Sequence, residues 1–232
     1  MRGGAGRNQT LVLATNDGLR RSEDGGQSWR PANHGVVATQ VSQLVATENV
    51  LLAERSVGQF WRSLDDGETW RLSETPIPRQ RVVSMLSEGS AIYVTYRHTH
   101  QRPPHTWIVL RSTDDAESWS LVDLPNVAFL CMIRTDEGLL AGTQKGLMVS
   151  HDDGASWTPR GAFGGDITAI AKHWGALYAV PTPEPGVPAI VRSVAGGETW
   201  RRTRFPRSPT LVLLFPVRAA LYPADCNGPS LS

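Results

Sequence analysis

The stretch of the chain richest in potentially reactive side chains is residues 96–106, which holds three of the six histidines. Imidazole is the commonest metal ligand in proteins, and the spacing of His98 and His100 could direct both rings to one side of an extended loop. No cysteine or acidic residue lies in the stretch to complete a site, whereas Pro103 and Pro104 restrict its backbone. We therefore predict a stiffened loop rather than a metal centre, and we expect no cofactor.

Side chains for hydrolytic chemistry are present but form no recognisable catalytic motif. A tyrosine nucleophile or a pair of carboxyl groups could cleave a glycosidic bond. Of the four tyrosines, Tyr93 and Tyr178 lie in alternating strand patterns, where packing is the expected role. The sequence has no HExxH, GxSxG, P-loop or dinucleotide-binding glycine motif. We therefore predict no catalytic residue.

Composition excludes several classes of partner. The 232 residues carry 23 Lys and Arg against 22 Asp and Glu, and a net charge of +1 supplies no field for nucleic acid or an anionic membrane. There is no apolar run of membrane-spanning length and no signal-peptide core, so we expect a cytoplasmic protein, or a secreted one if the true N-terminus lies upstream. Cys131 and Cys226 match neither a disulfide framework nor a metal motif, and both are interpreted as thiols.

The elements that must position these side chains follow from a repeat. An octapeptide of the form Ser-x-Asp-x-Gly-x-x-Trp recurs five times, with 38 to 49 residues between successive first serines. The copies occupy residues 22–29, 63–70, 112–119, 150–157 and 193–200. Short β-branched runs around each copy predict four strands per period and no helix.

Each octapeptide has the composition of a hairpin turn. Asp accepts hydrogen bonds from nearby backbone N–H groups, Gly takes a positive φ, and the large Trp packs between neighbouring units. We therefore interpret the repeated aspartates as structural rather than catalytic or calcium-binding. Ala116 replaces the Gly of the third copy and Ala195 the Asp of the fifth, so we expect those two turns to be looser.

The repeat resembles the Asp-box, or BNR, repeat of sialidases, sortilin-type receptors and the photosystem II assembly-factor propellers, and the resemblance covers residues 10–215. It implies an all-β fold, a β-propeller of four-stranded antiparallel blades. Five blades fit the repeat number, and a partial six- or seven-bladed propeller is the alternative. The Phe/Tyr-Arg-Ile-Pro motif of sialidases is absent before the first box.

Strand counting predicts how the ring closes. The first repeat opens at residues 11–14, which read as the second strand of a blade, whereas residues 210–215 form a surplus strand at the other end of the chain. We predict that this C-terminal strand supplies the missing innermost strand, which leaves no exposed sheet edge. The predicted domain is 10–222, with 1–9 and 223–232 as flexible termini.

The resemblance implies that ligands meet the blades at the end opposite the boxes, on the loops between second and third strands and between blades. Residues predicted to bind there are Glu54, Arg55, Tyr96, Arg97, His98, His100, Arg102, Lys145 and Asp166. Arginines also recur beside the boxes, which favours a structural role for them. The densest arginine cluster follows the fifth box and contains Arg202, Arg204 and Arg207, which could dock an acidic partner.

Two functions follow. The first is a monomeric, non-catalytic binding or scaffold module that recognises a protein partner, or a glycan, through its loops. The alternative is a sialidase-like glycoside hydrolase, for which the sequence provides the fold but not the expected motif.

Overall fold

A computed structural model describes residues 4–7, 10–15, 17–36, 41–55, 58–76, 80–98, 106–123, 127–161, 165–182 and 190–203. All regular structure in these ranges is β-strand, as the repeat predicts. Among the same residues there is no helix with the length and apolarity that crossing a bilayer requires.

Within the described ranges, twenty strands form five four-stranded sheets, and each sheet is an antiparallel meander in chain order. The first sheet contains β1 (Gly4–Arg7), β2 (Thr10–Thr15), β3 (Gly18–Ser22) and β4 (Arg30–Pro31). The second contains β5 (Val41–Ala46), β6 (Leu51–Arg55), β7 (Gln59–Ser63) and β8 (Arg71–Ser73). The third contains β9 (Arg81–Glu88), β10 (Ala91–His98), β11 (Thr106–Ser112) and β12 (Ser120–Leu121).

The remaining two sheets have the same order. The fourth contains β13 (Phe129–Thr135), β14 (Gly138–Thr143), β15 (Gly146–Ser150) and β16 (Thr158–Arg160). The fifth contains β17 (Ile167–His173), β18 (Ala176–Pro181), β19 (Val191–Ser193) and β20 (Arg201–Arg202). The five-sheet layout confirms the predicted number of four-stranded blades.

The described chain divides into two compact units. One consists of residues up to 98 together with 110–120, and its core cluster joins the first two sheets through Val12, Leu51 and Trp70. The other consists of residues 106–109 and 121–203, and its core cluster joins the fourth and fifth sheets through Leu140 and Ile167. In both units, burial of apolar side chains between neighbouring sheets supplies the cohesion.

The first sheet departs from the prediction. Its innermost position is filled by β1 from the chain's own N-terminal region, with Gly4 opposite Leu13 and Arg7 opposite Thr10. This corrects the expectation that the sheet has no such strand before residue 11. The predicted closing strand, residues 210–215, lies outside the described residues.

The octapeptides form the predicted turns between the third and fourth strands. In the first four copies the Ser hydroxyl donates to the Asp carboxylate at 2.7–2.8 Å, and the carboxylate accepts the N–H four residues after it at 2.8–2.9 Å. The Trp ring N–H donates to the Gly carbonyl in four of the five copies. These contacts show that the four box aspartates stabilise their turns, which is the role that the sequence predicts for them.

The two departing copies keep the turn. Ala116 adopts a φ of 60°, and its N–H donates to Ser112 Oγ at 3.0 Å. In the fifth copy the Gly197 N–H donates to Ser193 Oγ, also at 3.0 Å, although Ala195 offers no carboxylate. The same bond is 2.7–2.8 Å in the other three copies, so the hydroxyl contact of the turn is kept in all five.

Recurrent arginines connect successive boxes. Arg21 is buried and donates to the carbonyl of Asp66 at 2.7 Å and to the carboxylate of Glu68, both in the second box. Arg62 occupies the equivalent position in the second sheet and donates to the carbonyl of Asp115 in the third box at 3.2 Å. These bonds support the structural role predicted for the arginines that precede the box serines.

Candidate functional site

The predicted binding residues lie at one end of their sheets. In a meander the first and third hairpins share one end and the second hairpin lies at the other, so each sheet has a box end and an opposite end, which we call the loop end. Arg55 ends β6, and Lys145 lies in the turn between β14 and β15. Asp166 immediately precedes β17, and Arg202 ends β20. All four positions belong to loop ends, which was predicted for Arg55, Lys145 and Asp166 but not for Arg202.

Glu54 lies inside the loop end of the second sheet rather than on its surface. It faces Phe60 across the β6–β7 pair and is only 2% exposed. Its Oε1 accepts the Gly58 N–H at 3.2 Å, and the Ser42 hydroxyl of β5 donates to its carboxylate. The carboxylate therefore links the β6–β7 connection to the neighbouring strand β5.

Tyr96 belongs to the third sheet but packs against this connection. Its ring meets Phe60 edge-on, with centroids 6.3 Å apart. A Cβ on Gly58 would lie 3.3 Å from Cε1 of Tyr96 and 2.9 Å from the carbonyl of Gln80, so only glycine fits between them. A register shift between Thr95 and Tyr96 places the ring at this point in β10. The structure thus brings together two of the predicted residues, Glu54 and Tyr96.

Burial governs the ionisation of both groups. Loss of solvent raises the pKa of Glu54 to about 7, although the bonds from Gly58 and Ser42 oppose the shift. Burial likewise raises the pKa of Tyr96 to about 12, with the Thr75 side chain opposing the shift and the nearby Glu54 charge adding to it. Protonated Glu54 is therefore substantially populated at neutral pH, and Tyr96 stays a neutral phenol.

The other predicted residues are more open. Lys145 and Arg202 are exposed, whereas Arg55, Arg97 and Asp166 are half-buried. The Asp166 carbonyl accepts the Thr182 N–H at 2.7 Å. His98 ends β10, and its side chain lies outside the described part of the structure, as do His100, Arg102, Arg204 and Arg207.

Sequence reasoning missed Gly58, Gln80 and Ser42, which complete the surroundings of Glu54. Gly58 carried a usable signal, because a glycine between two strand patterns marks a positive φ, and its φ is 70°. Gln80 is 9% exposed and Ser42 is half-buried, and nothing in their local sequence distinguishes them from surface residues. Within the described ranges, no group of three His, Cys, Asp or Glu side chains is arranged to hold a metal ion.

Cys131 is a thiol, as the sequence predicts. Its Sγ lies 3.5 Å from the Ile167 carbonyl, and burial raises its pKa to about 12. A thiol held in this way is a poor nucleophile, so Cys131 contributes packing rather than chemistry. Cys226 lies outside the described residues.

No protein-family model and no curated protein matches the chain. Among solved structures, an ancestral GH74 enzyme is similar with a TM-score of 0.63 and 16% identity, over 85% of this chain and 30% of that one. YCF48 from Cyanidioschyzon merolae is similar with a TM-score of 0.59 and 14% identity, over 84% of this chain and 69% of that one. A structure of YCF48 bound to D1 peptide gives 0.59 and 16%, over 84% and 64%.

These neighbours are β-propellers of the kind built from Asp-box-like repeats, and at such identities they establish the fold alone. The chain spans less than a third of the GH74 enzyme and about two thirds of YCF48. Together with the five antiparallel four-stranded sheets, they place this protein in the β-propeller fold class.

Proposed function

We propose that this chain is an Asp-box propeller module that binds a protein partner through its loop ends and performs no catalysis. The observation that carries the proposal is the burial of Glu54, which is only 2% exposed and therefore out of reach of a substrate. A rigid turn scaffold with accessible charged side chains at the loop ends suffices for binding. Hydrolysis would also need a protonated acid that a substrate can reach.

Glycoside hydrolysis requires an acid that holds its proton near neutral pH and also reaches the glycosidic oxygen. Among the described carboxyl groups, Glu54 is the one whose pKa is raised, and its carboxylate is occupied by Gly58 and Ser42. The box aspartates have lowered pKa values and are committed to their turns. None of these carboxyl groups therefore both keeps its proton near neutral pH and lies within reach of a substrate.

A protein partner fits the accessible side chains better. Three cationic side chains at the loop ends are available for contact: Lys145 and Arg202 are exposed, and Arg55 is half-buried. Charged groups of this kind steer association and set partner choice. The YCF48 neighbour with its D1 peptide is a precedent for peptide binding on this fold. In the sequence, Arg204 and Arg207 follow Arg202 closely, and this run of cationic residues favours an acidic partner segment.

The catalytic alternative is tested with fluorogenic glycosides. Wild-type protein and Glu54→Gln should both give background rates, because the buried carboxyl cannot reach a substrate. Turnover by the wild type that disappears in Glu54→Gln would refute the proposal in favour of hydrolysis.

The binding arm uses affinity capture at about 50 and about 300 mM salt, since interactions of exposed charges weaken with ionic strength. The triple variant Arg202→Glu, Arg204→Glu and Arg207→Glu should no longer capture a partner whose binding is salt-sensitive. Its melting temperature should equal that of the wild type. Arg202→Glu alone, compared with Arg71→Glu, provides a charge-matched pair of exposed fourth-strand arginines. An identical partner list for the triple variant and wild type would remove the arginine cluster from the proposal.

A further inference from the structure

Trp174 is the most exposed large apolar side chain among the described residues. It lies at the tip of the hairpin between β17 and β18, is 93% exposed, and has a φ of 46°. The next residue, Gly175, also has a positive φ, of 71°. A two-residue tip with both φ values positive normally holds Asn, Asp or Gly, so a tryptophan is both strained and unprotected from water here.

Equivalent hairpins indicate that the fold does not need this tryptophan. The first hairpin of the third sheet turns through Gly89 and Ser90, and that of the fourth sheet turns through Asp136 and Glu137. Both close their turns with small or polar residues. An exposed, strained tryptophan at one such tip therefore points to a role outside the fold.

The surroundings of Trp174 are polar, and their charged side chains are paired. The His173 ring stacks on the indole, with centroids 4.4 Å apart and planes 28° apart. On the neighbouring hairpin, Asp136 binds Lys172 Nζ at 2.7 Å and Glu137 binds Arg160 at 2.6 Å. Arg160 also lies 3.8 Å from the Glu198 carboxylate, so each of the three carboxylates near this hairpin has a cationic partner.

We propose that Trp174 and His173 form a stacking platform for a neutral saccharide, at the box end of the fifth sheet and separate from the loop-end function proposed above. An indole face packs against the C–H face of a pyranose ring, while exposed ion pairs offer donors and acceptors to its hydroxyl groups. Such sites combine one apolar surface with a few orienting polar groups.

Other ligands fit these observations less well. A cationic ligand would need an unpaired carboxylate, whereas Asp136, Glu137 and Glu198 each have a cationic partner. A protein hot spot places its aromatic residue within a ring of contacts that exclude water, whereas Trp174 is flanked by Gly175 and by charged groups. The saccharide is therefore the occupant that this polar surface of paired charges favours.

The test is isothermal titration of the full chain with three neutral hexasaccharides, cellohexaose, xylohexaose and mannohexaose. We expect saturable binding of at least one, weakened about tenfold or more in Trp174→Ala, because stacking and its buried area are lost. Trp174→Phe should retain most of the affinity. Leu121→Ala, which removes another exposed apolar side chain, should bind like the wild type.

Trp174→Asn separates ligand loss from misfolding. Asparagine suits a positive φ, so this variant should melt at or above the wild-type temperature and still fail to bind the sugar. Absence of saturable binding to all three hexasaccharides would overturn the proposal, and so would unchanged affinity in Trp174→Asn. A variant that alters self-association or a protein contact while no sugar binds would assign the platform to a protein instead.

Discussion

Asp65 and Glu54 lie at opposite ends of the second sheet, and each accepts a hydrogen bond from the backbone N–H four residues ahead of it. The distances are similar, 2.9 Å to Thr69 and 3.2 Å to Gly58. Their pKa values nevertheless move in opposite directions, down for Asp65 and up for Glu54. The same local hydrogen bond therefore accompanies a carboxylate that favours ionisation at Asp65 and a carboxyl group that resists it at Glu54.

The difference comes from solvent and from the number of donors. Burial opposes ionisation of Asp65, but the side chain is exposed, and the hydroxyls of Thr69 and Ser63 join the backbone donor to outweigh that effect. Glu54 is almost fully buried, and its two donors do not compensate for the lost water. The box end is thus stabilised by the ionised carboxylate of Asp65, whereas the carboxyl group of Glu54 at the loop end favours its protonated form.

The largest expected effect comes from filling the space beside Glu54. Gly58→Ala places a Cβ 2.9 Å from the Gln80 carbonyl at a φ of 70°. We expect it to lower the free energy of unfolding by about 3–4 kcal/mol, measured by urea denaturation, because strain and overpacking add.

Gly25→Ala in the first box turn is the matched control for Gly58→Ala. Its φ is 69°, but a Cβ there meets nothing within 4 Å, so the cost should be about 1 kcal/mol. Equal costs for the two variants would mean that the contact between the second and third sheets at Gly58 contributes little.

The second prediction concerns pH. Because the pKa of Glu54 is raised from 4.5 to about 7, the folded protein keeps a proton that the unfolded chain releases. Stability should therefore fall as pH rises from about 4.5 to 7, by about 3 kcal/mol, and stay level above that range as far as this group is concerned.

Glu54→Gln should remove this component of the pH dependence. Its free energy of unfolding relative to wild type should thus improve between pH 4 and pH 8, as measured by urea denaturation across the range. Glu74→Gln, which replaces an exposed glutamate after β8, controls for the change in net charge. Parallel stability curves for wild type and Glu54→Gln would contradict a proton held by Glu54.

The contrast also marks how far sequence reasoning reaches. The box turns are local, since Ser, Asp and Gly act within five residues, and the repeat therefore predicted them together with the number of sheets. Glu54 was predicted as an accessible binding residue, but it is buried where the β6–β7 connection meets Gln80 and Tyr96, which come from a later part of the chain. No local pattern encodes such contacts between sheets.

Strand β1 illustrates the same limit. Gly4–Arg7 has low strand propensity and contains no β-branched residue, so its sequence did not predict a strand. Its place is set by pairing with β2. Trp174 was missed for a different reason: its significance lies in its exposure and its positive φ, which the sequence does not display.

The smallest predicted effect exchanges the features of two boxes. Ala195→Asp should restore the missing carboxylate of the fifth turn and raise the free energy of unfolding by about 0.5–1 kcal/mol at pH 7, since the turn already holds its shape through Ser193. Asp65→Ala should lose about 1 kcal/mol after allowance for its exposure. Because a lowered pKa stabilises only the ionised form, the loss should shrink as pH falls below the ordinary aspartate value of 3.8. Thermal melts at pH 7 and near pH 2.5 would check both signs. If Ala195→Asp destabilised the protein, the fifth turn would have to differ from the others in more than its missing carboxylate, and the shared hydrogen bonds would not suffice to make the five boxes equivalent.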